Sequence, residues 1–238
     1  DVSARFRQSV VGYGWAILRP VVTALIYTLV FSIFVRIETE APYILFVMAG
    51  LVPWAYFSQA LGSVTSSVVG NGPMLQKVYF ARLVLPISSL GVGLVDVVLQ
   101  LLVVLGLMFI YQYYPGLPFL TLPLFVFIAM FTALSFGIWL TALNVKFRDV
   151  GMAVPFVIQI WMYLCPIVYP ISVVPEGWRG VYALNPMVGV IEGFRWALLG
   201  SAHPEWGAMV IAFVVVLVVF LAGIIWFKRV ERTFADII

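Results

Sequence analysis

Charge is what this sequence has least of. Asp, Glu, Lys and Arg together make up 10% of its 238 residues, where an ordinary soluble domain carries about a quarter. Too few charges remain to solvate a globular surface, so a soluble fold is excluded. Cysteine and histidine occur once each, as Cys165 and His203. That rules out an intrachain disulfide and the usual zinc clusters, and leaves little for a Cys- or His-based nucleophile. Cys165 lies in an apolar setting, and His203, beside Pro204 in a polar break, reads as a solvated loop residue. No G-x-x-x-x-G-K-[ST] run occurs, so nothing here hydrolyses ATP on its own. Acids grouped for a transferase are missing too, as are the several intramembrane acids or histidines of a proton-coupled carrier. With no initiator Met and no signal-peptide pattern, Asp1 is read as an internal boundary.

What fills the space is apolar sequence: 64% hydrophobic residues and a mean hydropathy of +1.12. Crossing a bilayer core takes roughly 20 apolar residues, and six runs qualify, at about 20–35, 44–69, 83–111, 119–143, 152–169 and 207–227. The expectation is an all-α integral membrane protein with six transmembrane helices, in one permease domain over 1–238. The second and third runs are long, and Pro53 and Pro86 mark where they would bend. Ahead of the first, Val2, Phe6, Val10, Tyr13 and Ile17 recur at helical spacing with Arg5 and Arg7 between them. This predicts an amphipathic interfacial helix over 1–18; the alternative is a longer first span. Spans one to five would then occupy 19–171, an outer segment 172–206, span six 207–227 and a tail 228–238.

The cations are lopsided. With six spans, ten of the 13 basic residues fall on the side of the termini, among them Arg5, Arg7, Lys77, Arg82, Lys146 and Arg148. Positive loops face the cytoplasm, so both termini should lie there. The loop over 70–86 crowds Lys77, Val78, Tyr79, Phe80 and Arg82 together, a mixture suited to docking a cytosolic partner; simple positive-inside anchoring is the alternative.

Polar groups inside the spans are few. Asp96 and Gln100 form a stripe at i, i+4 that must face the bundle, a partner chain or water. It is either a substrate or gating contact or, the favoured reading, an interhelical hydrogen bond fixing packing. The stretch over 143–200 changes character three times: a charged knot, Asn144 to Asp149; an apolar run cut by Pro166 and Pro170; and the interrupted segment ALNPMVGVIEGFRWALLG. That segment reads as short re-entrant or outer gate helices between spans five and six. Asn185-Pro186 gives it a helix start, and Glu192 and Arg195, three apart, share a face. They could pair as part of an outer gate, in which case exchanging their charges should repair single changes; a weak surface pair is the other reading. Among the aromatics, Tyr27, Phe31 and Phe34 share a face of the first span, and Trp161 and Tyr163 sit in the fifth. They either face lipid and neighbours or line a path on which sugar rings could slide.

Four segments carry a resemblance: FVMAGLVPWAYFSQAL (46–61), LQKVYFARLVLPISS (75–89), LTALNVKFRDVGMAVPFVIQIWMYLCPIVYP (140–170) and ALNPMVGVIEGFRWALLG (183–200). Together they resemble the membrane subunits of type 2 ABC exporters, in particular the Wzm-type permeases that export O antigen and related lipid-linked polysaccharides. The resemblance implies a homodimer in the bacterial inner membrane, among membrane lipids, joined to two copies of a cytosolic ABC ATPase. ATP and Mg would bind that partner, no cofactor this chain, and nucleic acid has no part. It implies ATPase docking by Lys77 to Arg82 and the N-terminal helix, an outer gate over 174–200, and a channel lined by spans one and five, placing Tyr27, Phe31, Phe34, Trp161 and Tyr163 in or near it. A type 2 exporter of a small drug or lipid is the alternative.

Overall fold

The computed structural model describes residues 14–34, 39–75 and 81–231, and every regular element among them is helical. Helix α1 spans Gly14–Tyr27 and runs on as wider π-helical turns over Thr28–Phe34. At the junction the Thr28 hydroxyl donates to the Ala24 carbonyl at 2.7 Å, a back-bond of the kind that accompanies local distortion. Helix α2 is Tyr43–Gly70, followed by one turn over Gly72–Leu75. Helix α3, Val84–Ile110, tightens to 3-10 geometry at Leu90–Gly93. A 3-10 turn at Leu117–Thr121 leads into α4, Leu122–Lys146, and α5 is Asp149–Tyr163. After a 3-10 turn at Ile171–Val173 come α6, Glu176–Ala183, α7, Pro186–Leu199, and α8, Trp206–Glu231.

Where the sequence predicts six spans, four helices are long and apolar enough to cross a membrane: α2, α3, α4 with its lead-in, and α8. The other two expected spans correspond to the shorter apolar helices α1 and α5. Helix α5 stops at Tyr163 instead of running to Tyr169. Proline disfavours helical backbone in the residue before it, so Pro166, with Pro170 close behind, works against continuation through Cys165. Fifteen residues reach only about 22 Å against a hydrocarbon core of about 30 Å. The expected bends also move. Helix α2 continues through Pro53, while α3 changes geometry at Leu90–Gly93, just past Pro86. The stretch read as an interfacial helix lies outside the described residues up to 13, as do Arg5, Arg7, Lys77, Val78, Tyr79, Phe80 and the tail from 232.

Helix α2 is the hub, packed on α4 above all and also on α7, α3, α1 and α5. Burial runs opposite to hydropathy: α8, the most hydropathic of the four long helices, is the least buried, and α2, the least hydropathic, is the most. This is how a chain behaves when its solvent is lipid, because outward faces must be apolar while interior faces can carry hydroxyls that bind across helices. The Thr141 hydroxyl on α4 reaches the Val64 carbonyl of α2 at 2.7 Å, and the Asn144 side-chain amide reaches the Thr65 carbonyl at 3.2 Å. The Tyr56 hydroxyl meets the Leu90 carbonyl, where α3 changes geometry. The Trp139 indole N–H holds α8 through the Val219 carbonyl at 2.9 Å.

The α2–α4 contact is close enough to require glycine at one place, because a β-carbon on Gly137 would sit 2.4 Å from Val64 Cγ1. The Val64 side chain is short and branched and cannot swing away. Gly137→Ala is therefore expected to cost about 1–3 kcal/mol through overpacking, read as a lower Tm in detergent. Gly106→Ala, at a site with nothing within 4 Å, should leave Tm unchanged.

Candidate functional site

Helices α2 and α4 define two ends of the bundle, one at Tyr43 and one at Gly70. At the Tyr43 end the chain breaks after α5 and runs irregularly over 164–170, after which α6 packs on α7 and α8 and α7 folds back against α2 and α4. A broken helix frees backbone carbonyls that need other donors. Side chains from α2, α7 and its N-cap supply three. Asn185 donates through Nδ2 to the Leu164 carbonyl at 3.0 Å, Arg195 Nη2 donates to the Ile167 carbonyl at 2.8 Å, and the Tyr43 hydroxyl donates to the Val168 carbonyl at 2.6 Å.

Asn185 does more than start α7. Its Oδ1 accepts from the Met187 backbone N–H, as an N-cap should, and from the Trp161 indole N–H, both at 3.1 Å, while Nδ2 also approaches Cys165 Sγ at 3.4 Å. One side chain thus binds α5, the break and α7 together.

Arg195 is the centre of this end. It is 1% exposed. Nη1 donates to Glu192 Oε1 at 2.7 Å, Nε to the Phe46 carbonyl at 3.4 Å, and the guanidinium lies over the Phe46 ring, 3.5 Å from its centroid. Room for it comes from Gly50, where a β-carbon would lie 3.2 Å from Nη2. The pair is therefore buried, and the weak surface pair is not what the structure holds. Burial pushes the Glu192 carboxyl up from its ordinary value, and the charge and hydrogen bond of Arg195 pull it partway back.

Of the aromatic residues singled out in the sequence, Tyr27 and Phe31 meet edge to face at 6.1 Å, and the Phe34 side chain lies outside the described residues. Tyr163 is exposed. Trp161 packs edge-on against Phe57 at 4.9 Å and Phe136 at 5.0 Å, so its ring is shared among α2, α4 and α5. Asp96 and Gln100 are both buried, and Gln100 Oε1 has no hydrogen-bond partner. At the Gly70 end, Arg82 Nη1 caps α8 at the Glu231 carbonyl at 2.5 Å, a cation at a helix C-terminus as the macrodipole favours. Asn144 Oδ1 accepts from the Gly151 N–H at 2.8 Å, which seats the start of α5 on the end of α4.

Sequence reasoning passed over one feature. Between α2 and α5 runs a groove of about 540 Å³ lined by Ser58, Gln59, Gly62, Ser63, Thr65 and Ser66 from α2, with Gly151 and Pro155 opposite. Its signal was present as spacing, since Ser58, Gly62 and Ser66 fall four apart, as do Gln59 and Ser63.

Four helices long and apolar enough to cross a membrane, packed in one bundle, define a membrane protein. Residues 1–199 match the ABC-2 type transporter family, and the chain belongs to it. Its relatives include the "O-antigen export system permease protein RfbA" of Klebsiella pneumoniae, 26% identical with all of this chain and 92% of the relative covered. The protein of the same name in Myxococcus xanthus is 32% identical over 82% of this chain and 75% of its own length. The "Polysialic acid transport protein KpsM" of Escherichia coli is 25% identical over 84% of this chain and 78% of its own.

Because Arg195 serves two carbonyls and a ring besides Glu192, exchanging the charges cannot restore it. Arg195→Gln is expected to lose about 3–5 kcal/mol, the cost of breaking a buried pair. The doubly exchanged Glu192→Arg/Arg195→Glu chain should be no more stable than either single variant, read from Tm and monodisperse yield.

Proposed function

We propose that this chain is the transmembrane subunit of an ATP-driven exporter that moves a lipid-linked polysaccharide, O antigen or a similar surface glycan, across the bacterial inner membrane. The observation that carries the reading is the near full-length similarity to permeases named for O-antigen export, with a polysialic acid transport protein beside them. The groove between α2 and α5 supports it. Hydroxyls and an amide there offer exchangeable hydrogen bonds to a polyhydroxylated chain, where a purely apolar path would suit a drug or lipid.

In this reading α1 and α5 complete six spans, with both termini and the Gly70 end in the cytoplasm and the Tyr43 end outside. Two copies of the chain form the path, and two copies of a separate ATPase bind the Gly70 end, using Lys77 to Arg82 with Arg5 and Arg7. ATP and Mg act there. The chain's work is mechanical: Asn144, fixed to both Thr65 and Gly151, couples movement of the α4–α5 corner to α2, and Glu192 and Arg195 close the outer end. The aromatic residues Tyr27, Phe31, Phe34, Trp161 and Tyr163 flank the path.

Gly62 tests it, since the position is open, with nothing within 4 Å of an added β-carbon. In a strain lacking the gene, complementation with the wild-type chain should restore glycan at the cell surface. Gly62→Leu, at equal amounts in the membrane, should reduce it by about tenfold or more, equivalent to a barrier raised by about 1.4 kcal/mol, with lipid-linked glycan accumulating inside. Unchanged surface glycan would remove the groove from the path, and no glycan phenotype in the deletion strain would remove the substrate class.

A further inference from the structure

A second cavity, of about 230 Å³, lies at the Tyr43 end, where the segment before α2, the loop after α3, the break over 170–172 and the end of α7 come together. Two of its polar side chains present atoms with no hydrogen-bond partner among the described residues. Glu192 is 18% exposed and faces this space; Oε1 is taken by Arg195, and no hydrogen bond holds Oε2 among the described residues. Ser201 also lines the cavity, and its hydroxyl is buried with no hydrogen-bond partner. Buried polar atoms are nearly always paired, so an unpaired one beside a cavity marks a place for a ligand or water. Arg195 forms part of the wall, with three of its five N–H donors already committed.

Charge and size narrow the ligand. The lining holds two carboxylates, Glu40 and Glu192, against one guanidinium that is already paired, so an anion is disfavoured. No group of three His, Cys, Asp or Glu residues that could hold a metal occurs among the described residues. The volume lies below the about 300–1,000 Å³ of sites for drug-sized ligands, which leaves room for one ring. A carboxylate oxygen that only accepts, lining one cavity with a hydroxyl that can donate or accept, suits a ring that carries several hydroxyl groups.

We infer that this cavity is a subsite for a single neutral sugar unit, with one ring hydroxyl donating to Glu192 Oε2 and another pairing with Ser201 Oγ. The inference rests on the exporter reading and adds to it an outward-facing contact with the glycan, separate from the groove between α2 and α5. Occupancy would also bear on the Glu192–Arg195 pair, since the ligand competes for the same carboxylate.

The test uses the whole chain purified into nanodiscs and saturation-transfer NMR with methyl α-D-glucoside, methyl α-D-mannoside and methyl α-D-galactoside, with methyl α-D-glucuronide as the anionic control. At least one neutral glycoside should bind saturably, and the glucuronide should not. Ser201→Ala and Ser201→Val, which remove a hydroxyl that makes no bond within the protein, should keep the wild-type Tm and weaken binding by about tenfold. Binding that ignores both variants, preference for the glucuronide, or no saturable binding of any glycoside would overturn the subsite. The exporter reading is scored separately from surface glycan in the complemented strain: glycan export without glycoside binding removes the subsite alone, and Ser201-dependent binding without export leaves the subsite and removes the exporter.

Discussion

The structure depends on how it satisfies a broken helix. Pro166 follows the early end of α5, and the carbonyls released over 164–168 have no next helical turn to bond to. Three side chains from elsewhere supply the donors: Asn185, Arg195 and Tyr43. Two of them belong to α7 and its N-cap and one to α2, so the break is stable only while α7 stays docked on α2 and α4. A buried guanidinium is tolerated for the same reason. Its charge is matched by Glu192 and its donors by carbonyls, so the desolvation cost that would expel a lone arginine is offset. Lysine could not substitute, since one ammonium cannot span Glu192, Ile167 and Phe46 as a planar fork does.

This brace ties down the Tyr43 end of the bundle. At the Gly70 end the contacts are helix caps and corner bonds, Arg82 on the end of α8 and Asn144 beneath Gly151. The two ends are linked through α2, which touches most other helices. The polar groove lies along that same helix. A helix that is at once the hub of packing and one wall of the groove can change the groove's width only by shifting against α4 or α5, and the close fit of Gly137 on Val64 resists the first of these.

Much of this was legible in the residues. Hydropathy and scarce charge gave a helical membrane bundle, and the proline pair 166 and 170 marked the break. Asn185-Pro186 marked the start of α7, and the spacing of Glu192 and Arg195 placed them on one face. What could not be read is what tertiary contact decides. The spacing of Glu192 and Arg195 says nothing of the Ile167 and Phe46 carbonyls, which are 28 and 149 residues away from Arg195. Position alone leaves Trp161 open to packing or to a path, and nothing in the sequence tells that Phe57, Phe136 and Asn185 converge on its ring. Of the six apolar runs, four form helices long enough to cross and two form shorter apolar helices: a run of apolar residues measures hydrophobicity, while its helical length depends on where the helix breaks. The serine spacing in α2 was visible and carried no weight, because in a soluble helix the same pattern would only mark an exposed face.

The central claim is that Arg195 holds α7 against the broken segment, and hydrogen–deuterium exchange measures it most directly. In nanodiscs, peptides covering 186–199 should be protected in the wild-type chain, as expected of buried helix. In Arg195→Gln their exchange should rise toward that of the loop over 200–205, while peptides from α4 remain protected. Unchanged protection of 186–199 in that variant would contradict the account, because the re-entrant helix would then be held by packing alone.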